Sequence, residues 1–250
     1  MGQRAPCAFR PCARLRFGGC CAGTPRLFRE PPMDDETTPP DSKLTRSKRR
    51  WASEHKFITG APSRPAEERL PPGQHLVRNW PVLDLGRQPE VSTERWRLRI
   101  GGMVGEPVSL DWAAFMALPQ AQVRSDIHCV TTWSRYDNDW TGVATRDLLD
   151  MVRPADEATH VMLHGYDGYT TNVPLEDFAA PDALLAHGWD GKPLTRDHGG
   201  PVRLVIPHLY FWKSAKWLGG IDFLGGDKPG FWEQNGYHMR GDPWNEERYG

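Results

Sequence analysis

The 250-residue chain predicts an α+β domain built on mixed sheet. Three observations lead there. Short stretches of apolar–polar alternation recur from residue 95 onward, as half-buried strands require. The helical stretches between them are short and do not alternate regularly with strands, as a doubly wound sheet would demand. Turn-forming pairs such as Asp190-Gly191, and prolines such as Pro119 and Pro174, separate neighbouring stretches.

Before that domain the composition is different. Arg4, Arg10, Arg14, Arg16, Arg26 and Arg29 stand against one acid, Glu30, and Cys7, Cys12, Cys20 and Cys21 fall in the same stretch. A transit peptide would be rich in serine and a secretory leader would carry an apolar core, and neither is found. We therefore expect Met33 to be the true start, residues 1–56 to lie outside the fold, and residues 57–250 to form a single domain. The basic run Arg46-Ser47-Lys48-Arg49-Arg50 reads as a solvated tail. Arg49-Arg50 does not open a twin-arginine signal, because Trp51-Ala52-Ser53-Glu54-His55-Lys56 is polar where an apolar segment should follow.

From residue 57 the elements follow in order. Residues 61–73 read as an extended arm, and Pro81 keeps Trp80 out of the helical region. Arg95 to Gly101 is a strand with Trp96, Leu98 and Ile100 on one face, and Val108-Ser109-Leu110 pairs back on it through the Val104–Pro107 turn. Asp111 caps a short helix that Pro119 stops. Gln122 to Cys129 is a strand that delivers Cys129 to a loop carrying Trp133, Arg135, Tyr136 and Trp140, with His128 and Cys129 on opposite faces. Thr145 is the expected N-cap of a helix from Arg146 to Val152. His160–Leu163 and Tyr169–Val173 are strands around a Gly165–Gly168 turn, and Pro174 opens a helical turn. Leu184–Trp189 and Lys192–Leu194 form a hairpin. After the loop His198-Gly199-Gly200-Pro201 comes a buried strand, Val202–Pro207, and the chain continues into Gly220–Leu224. The tail from Gly225 reads as irregular chain draped over the surface.

A formal charge of −1 implies no bulk attraction to nucleic acid or to an anionic membrane. No apolar run reaches the roughly 18 residues of a membrane span, and the cytoplasm is the expected compartment. Eleven tryptophans and nine histidines are many for this length, and such side chains line clefts around planar ligands as well as filling cores. Cys129 is the one cysteine beyond residue 21. It has no partner there for a disulfide and no CxxC for structural zinc. It is either a small buried hydrophobe or a thiolate, acting as a nucleophile or as a soft ligand to a redox metal.

Several blocks together resemble the molybdopterin-binding domain of the sulfite oxidase family, from about Leu76 to Leu224. They are Val77-Arg78-Asn79 with Pro81-Val82, His128-Cys129-Val130, Tyr169-Thr170-Thr171-Asn172-Val173-Pro174-Leu175, Gly191-Lys192-Pro193-Leu194, and Asp197-His198-Gly199-Gly200-Pro201-Val202-Arg203-Leu204-Val205-Ile206-Pro207 followed by Lys213, Lys216 and Trp217. The resemblance implies a sulfite-oxidase-type mixed-sheet fold, molybdenum and molybdopterin as cofactors, and oxygen-atom transfer on a small sulfur oxyanion or sulfoxide. By position it implies Cys129 as the metal ligand, Arg78 and Tyr169 beside the metal, and Asn79, Trp80, His198, Arg203, Ser214, Ala215 and Lys216 on the cofactor. Arg203, Lys213 and Lys216 are residue types that give charged hydrogen bonds to the pterin phosphate. Val130-Thr131-Thr132-Trp133-Ser134 is similar to the bacterial methionine sulfoxide reductase branch, whereas His198 is similar to sulfite oxidases. With no haem, flavin or iron–sulfur motif on the chain, electrons are expected to pass to a separate partner. Two other classes stay open on the residues: a non-redox module binding an anion through Arg203 and Lys216, and a cysteine hydrolase or transferase using His160, His164 or His198 as base.

Overall fold

The computed structural model describes residues 69–250. The expected leader, the start at Met33, the boundary at residue 57 and most of the 61–73 arm lie outside these residues.

Two sheets make up the described fold. The first contains β1 (His75–Leu76), β4 (Ala121–His128), β5 (Trp133–Ala144), β8 (Leu184–Trp189), β9 (Lys192–Pro193) and β10 (Arg203–Val205), in the order β1-β5-β8-β10 with β4 also on β5 and β9 on β8. The second contains β2 (Arg97–Gly102), β3 (Val108–Asp111), β6 (His160–Gly165), β7 (Thr170–Pro174) and β11 (Leu218–Leu224), in the order β3-β2-β11-β6-β7. The β1–β5 and β2–β11 pairs are parallel and the others antiparallel, so both sheets are mixed. Along β2 the expected alternation holds: Leu98 and Ile100 are buried while Arg97 and Arg99 are exposed. Trp96 beside them packs edge-on to Trp112 and Phe115 and donates its indole N–H to the Leu218 carbonyl at 2.9 Å.

The helices are few and short. Asp111 caps α1 (Trp112–Ala117) by accepting from Ala114 N at 2.8 Å. Helix α2 (Thr145–Val152) is capped by Ala144 without a side-chain bond, and Thr145 is its first helical residue. The Thr145 hydroxyl instead donates to the Phe178 and Ala183 carbonyls, tying α2 to the chain after α3 (Leu175–Phe178). Tertiary partners thus take the hydroxyl that a cap would use. Among the described residues no helix is long and apolar enough to cross a membrane.

Two further expectations are corrected. The loop carrying Trp133 to Trp140 is the first two thirds of the long strand β5. Its alternation is broken by a register shift opposite Ser125 and Ile127, and Asp137 takes φ 53°. Asn138, which reads as a turn residue, is fully buried in the strand. Its amide donates to the Ser125 and Arg135 carbonyls, and its oxygen accepts from Arg135 and Trp189 Nε1. A polar residue with every bond made can sit in a sheet as well as in a turn.

The tail after β11 is built into the domain, not draped over it. Phe231, Trp232 and Tyr237 are buried, and so is Glu233. Glu233 Oε1 accepts from Lys213 Nζ at 2.7 Å, from Trp212 Nε1 at 2.8 Å and from Thr171 Oγ1 at 3.1 Å. Lys213 also donates to the Asn172 side chain and carbonyl, both at 2.9 Å. Neither charged side chain has any solvent exposure. Burial pushes the Lys213 pKa down, and the Glu233 carboxylate opposes that shift.

Removing one half of such a pair leaves a buried charge unmatched, so Glu233→Ala should lose about 3–5 kcal/mol of stability in urea denaturation. The double variant Lys213→Met/Glu233→Leu should recover part of that loss, since it buries no charge.

Candidate functional site

Cys129 leaves β4 and enters a tight turn. Its N–H donates to the Trp133 carbonyl at 2.8 Å, and its carbonyl accepts from Thr132 N at 3.0 Å. The sulfur lies 3.1 Å from Thr131 Oγ1. His128 faces the other way, as the strand alternation predicts, and pairs through Nδ1 with Ser134 Oγ at 2.8 Å. Burial pushes its pKa down to about 4, so it is neutral at pH 7.

Cys129 forms part of the wall of a cleft whose empty space, mouth included, is about 760 Å³. Val130, Thr131, Trp133, Tyr169, Trp212, Trp232 and Tyr237 also line it, together with Trp80, Asp167, Arg203, Ser214 and Lys216. Mostly apolar walls with a few polar groups suit an organic cofactor or substrate.

Arg203 is 1% exposed. Its guanidinium donates to the His198 carbonyl at 2.9 Å, the Ser214 carbonyl at 2.8 Å and the Leu204 carbonyl at 3.3 Å, and it lies 4.1 Å from the Phe211 ring centroid. Burial pushes its pKa down to about 9. Lys216 donates to the Asp197 carbonyl at 2.6 Å, and burial, then the Arg203 charge, push its pKa down to about 8. Neither cation forms an ion pair among the described residues. Asp167, on the same wall, accepts from Tyr169 N at 3.1 Å, and burial raises its pKa to about 6.

Of the residues singled out from sequence, Cys129, Trp80, Tyr169, Arg203, Ser214 and Lys216 line the cleft. His198 sits behind Trp80, the two rings stacked at 3.8 Å and 7°, and its buried Nδ1 has no hydrogen-bond partner. Burial, opposed by Asp197, holds its pKa near about 4. Ala215 is buried with its carbonyl taken by Leu204 N at 2.9 Å. Arg78 and Asn79 are exposed and stand off the wall, and the Arg78 carbonyl accepts from Arg135 Nε at 3.3 Å. The Tyr169 hydroxyl donates to the Trp212 carbonyl at 2.7 Å. Burial, then the Glu233 charge, push the Tyr169 pKa well above 10. Lys213 is withdrawn from the cleft by Glu233, which corrects its assignment to the phosphate.

Among the described residues no histidine lines the cleft, and His160 and His164 pair with Asp227 and Asp222. An imidazole base for a hydrolytic Cys129 is therefore not supplied. The donor set fits a molybdopterin group instead. The buried Arg203 and the half-buried Lys216, neither ion-paired among the described residues, call for an anion, an orphan ring nitrogen lies beside them, and a thiol is present for a soft metal. Sequence reading missed Asp167, which it took as a turn residue, and the tail aromatics Trp232 and Tyr237. The signal for the tail was its density of aromatic residues, high for a stretch meant only for solvent.

Comparison with known proteins agrees. Residues 85–232 match the family described as the oxidoreductase molybdopterin binding domain. An uncharacterised oxidoreductase of Bacillus subtilis, YuiH, is 49% identical over 182 residues, 72% of this chain and 92% of its own length. The protein-methionine-sulfoxide reductase catalytic subunit MsrP of Campylobacter jejuni is 28% identical over 159 residues, 57% of this chain and 53% of its own, so the match spans about half of that relative. The sulfane dehydrogenase SoxCD from Paracoccus pantotrophus shares the fold, with a TM-score of 0.52 at 21% identity over 56% of this chain and 40% of that one. The chain belongs to the oxidoreductase molybdopterin-binding domain family, that of the sulfite oxidases, whose members are enzymes built on the molybdenum cofactor.

Proposed function

We propose that this protein is a molybdenum- and molybdopterin-dependent oxidoreductase that moves an oxygen atom, with two electrons, to or from a small sulfur oxyanion or a sulfoxide. The observation that carries this reading is one cleft holding the Cys129 thiol together with Arg203, a buried cation, and Lys216, a half-buried one, neither of them ion-paired among the described residues. Leaving such charges unmatched costs several kcal/mol, and an anionic cofactor removes that cost.

The bound group supplies the two-electron redox couple and the oxygen-transfer chemistry. Cys129 supplies the thiolate that holds the metal. Arg203 and Lys216 hold the pterin phosphate, with Ser214 and Ala215 on the same segment and Asn79, Trp80 and His198 completing the grip. Arg203 is already aimed by three carbonyls, so it needs no reordering when the phosphate arrives. Arg78 and Tyr169 steer the substrate, Tyr169 from the wall and Arg78 from the exposed chain beside Trp80. The aromatic walls exclude water around the reacting atoms. Electrons pass to a separate carrier.

Cys129→Ser should abolish oxygen-atom transfer to a sulfoxide panel and from sulfite while keeping fold and pterin content, as read by circular dichroism and pterin fluorescence. A variant as active as wild type would remove the thiolate from the mechanism. Arg203→Met should lose about 1.5–3 kcal/mol of cofactor binding, roughly tenfold or more in affinity, and be purified with low molybdenum and pterin. Full occupancy with a lower rate would place Arg203 on the substrate instead. The protonated Lys216 ammonium is the form that attracts an anion, and burial has lowered its pKa to about 8. Pyrophosphate affinity of cofactor-free protein, measured by calorimetry, should thus be highest below pH 8 and fall as pH rises past it. A flat profile from pH 6 to 10 would exclude Lys216 from the anion site.

A further inference from the structure

The turn that presents Cys129 is held from behind by two segments far apart in sequence. Gln74 Nε2 donates to the Cys129 carbonyl at 3.2 Å, and Gln74 Oε1 accepts from Ser134 Oγ at 3.4 Å. The next residue, His75, donates its N–H to the Thr132 carbonyl at 2.9 Å. From the tail, Arg248 Nη1 donates to the Val130 carbonyl at 2.6 Å and Nη2 to the Pro72 carbonyl at 3.5 Å. Arg248 lies 5.0 Å from the centroid of the Tyr210 ring, and both it and Gln74 are buried. Both residues lie outside the stretch that matches the family model.

The turn needs such support. Thr132 sits at φ 73°, a conformation that a β-branched residue adopts only when its surroundings over-determine it. The carbonyls of Cys129 and Val130 define the two peptide planes that follow the Cys129 Cα. The plane before Cys129 is held by its N–H bond to the Trp133 carbonyl, so fixing the two that follow fixes the backbone dihedrals at Cys129 and Val130, and with them the direction in which Sγ leaves the chain.

We propose that Gln74 and Arg248 are positioning residues for Cys129: by gripping its own carbonyl and the next one, they hold Sγ on the cleft wall. This rests on the reading of Cys129 as the metal-holding thiolate. Arg248 ties the tail to this turn, whereas Arg240 ties the same tail to Asp177 through bonds of 3.0 Å. Arg240 therefore serves as a control for general loosening of the tail.

The test uses the full chain as purified, with iodoacetamide labelling of Cys129 followed by peptide mass spectrometry and the molybdenum electron-spin-resonance spectrum recorded alongside. Arg248→Met and Gln74→Leu should each label about tenfold faster or more, the effect of losing one buried hydrogen bond on local opening, and should show a shifted metal spectrum at retained pterin content. Arg248→Lys, which keeps a donor for the Val130 carbonyl, should restore the wild-type rate and spectrum, and Arg240→Met should leave both unchanged. Should Arg248→Met fail to fold, Gln74→Leu decides alone. Wild-type labelling and spectrum in Gln74→Leu would overturn the proposal, as would equal acceleration by Arg240→Met. A Cys129→Ser chain with the wild-type metal spectrum would instead overturn the ligand reading itself, so the two failures are distinguishable.

Discussion

Glu233 gathers three donors at one oxygen, from Lys213, Trp212 and Thr171, in a place that water does not reach. Each donor belongs to a different part of the molecule. Thr171 is on β7, Trp212 and Lys213 follow β10, and Glu233 itself comes from the tail. Low local dielectric makes such a junction strong when complete and costly when incomplete. The cleft depends on it, because Trp212 and Trp232 are wall residues flanking the junction, and the Trp212 carbonyl takes the Tyr169 hydroxyl. The aromatic side of the site is therefore held by a charge pair that never touches the ligand.

The second constraint is the cationic pair on the other part of the wall. Arg203 is placed by its own strand β10, whose neighbour β8 is in turn paired with β5. Because the guanidinium spends its hydrogens on three carbonyls rather than on a carboxylate, its position is set but its charge is not cancelled. Lys216 repeats the arrangement with one carbonyl. This is the difference between a structural cation such as Lys213 and one held ready for an anion. Nothing in the residue type distinguishes them, and only the presence or absence of Glu233 does.

That contrast explains what was legible in the sequence. Regular alternation revealed β2 and β4, the Val104–Pro107 and Gly165–Gly168 turns revealed β3, β6 and β7, and Asp190-Gly191 revealed the β8–β9 hairpin, because these signals are local. β5 was hidden because Asp137, Asn138 and Gly142 carry turn chemistry, while Asn138 meets its hydrogen-bonding needs through Ser125, Arg135 and Trp189. The blocks around Cys129 and Arg203 located one wall of the cleft. The other wall was missed because the tail has no period of 2 or 3.6, and its burial rests on partners such as Lys213 that lie distant in sequence. Asp167 was hidden in a Gly-flanked turn whose composition fully accounts for it without any further role.

The order of the chain has a consequence for assembly. Both sheets and the Arg203 cradle are complete by β11, whereas Trp232, Tyr237 and Arg248 emerge from the ribosome afterwards. Domains fold as their segments become available during synthesis. A nascent chain that has reached only Leu224 therefore has its cation cradle in place and its thiol turn still ungripped by Arg248, with the cleft open along one side. The finish of the cleft wall and the grip on the thiol turn thus both rest on the segment of chain made last.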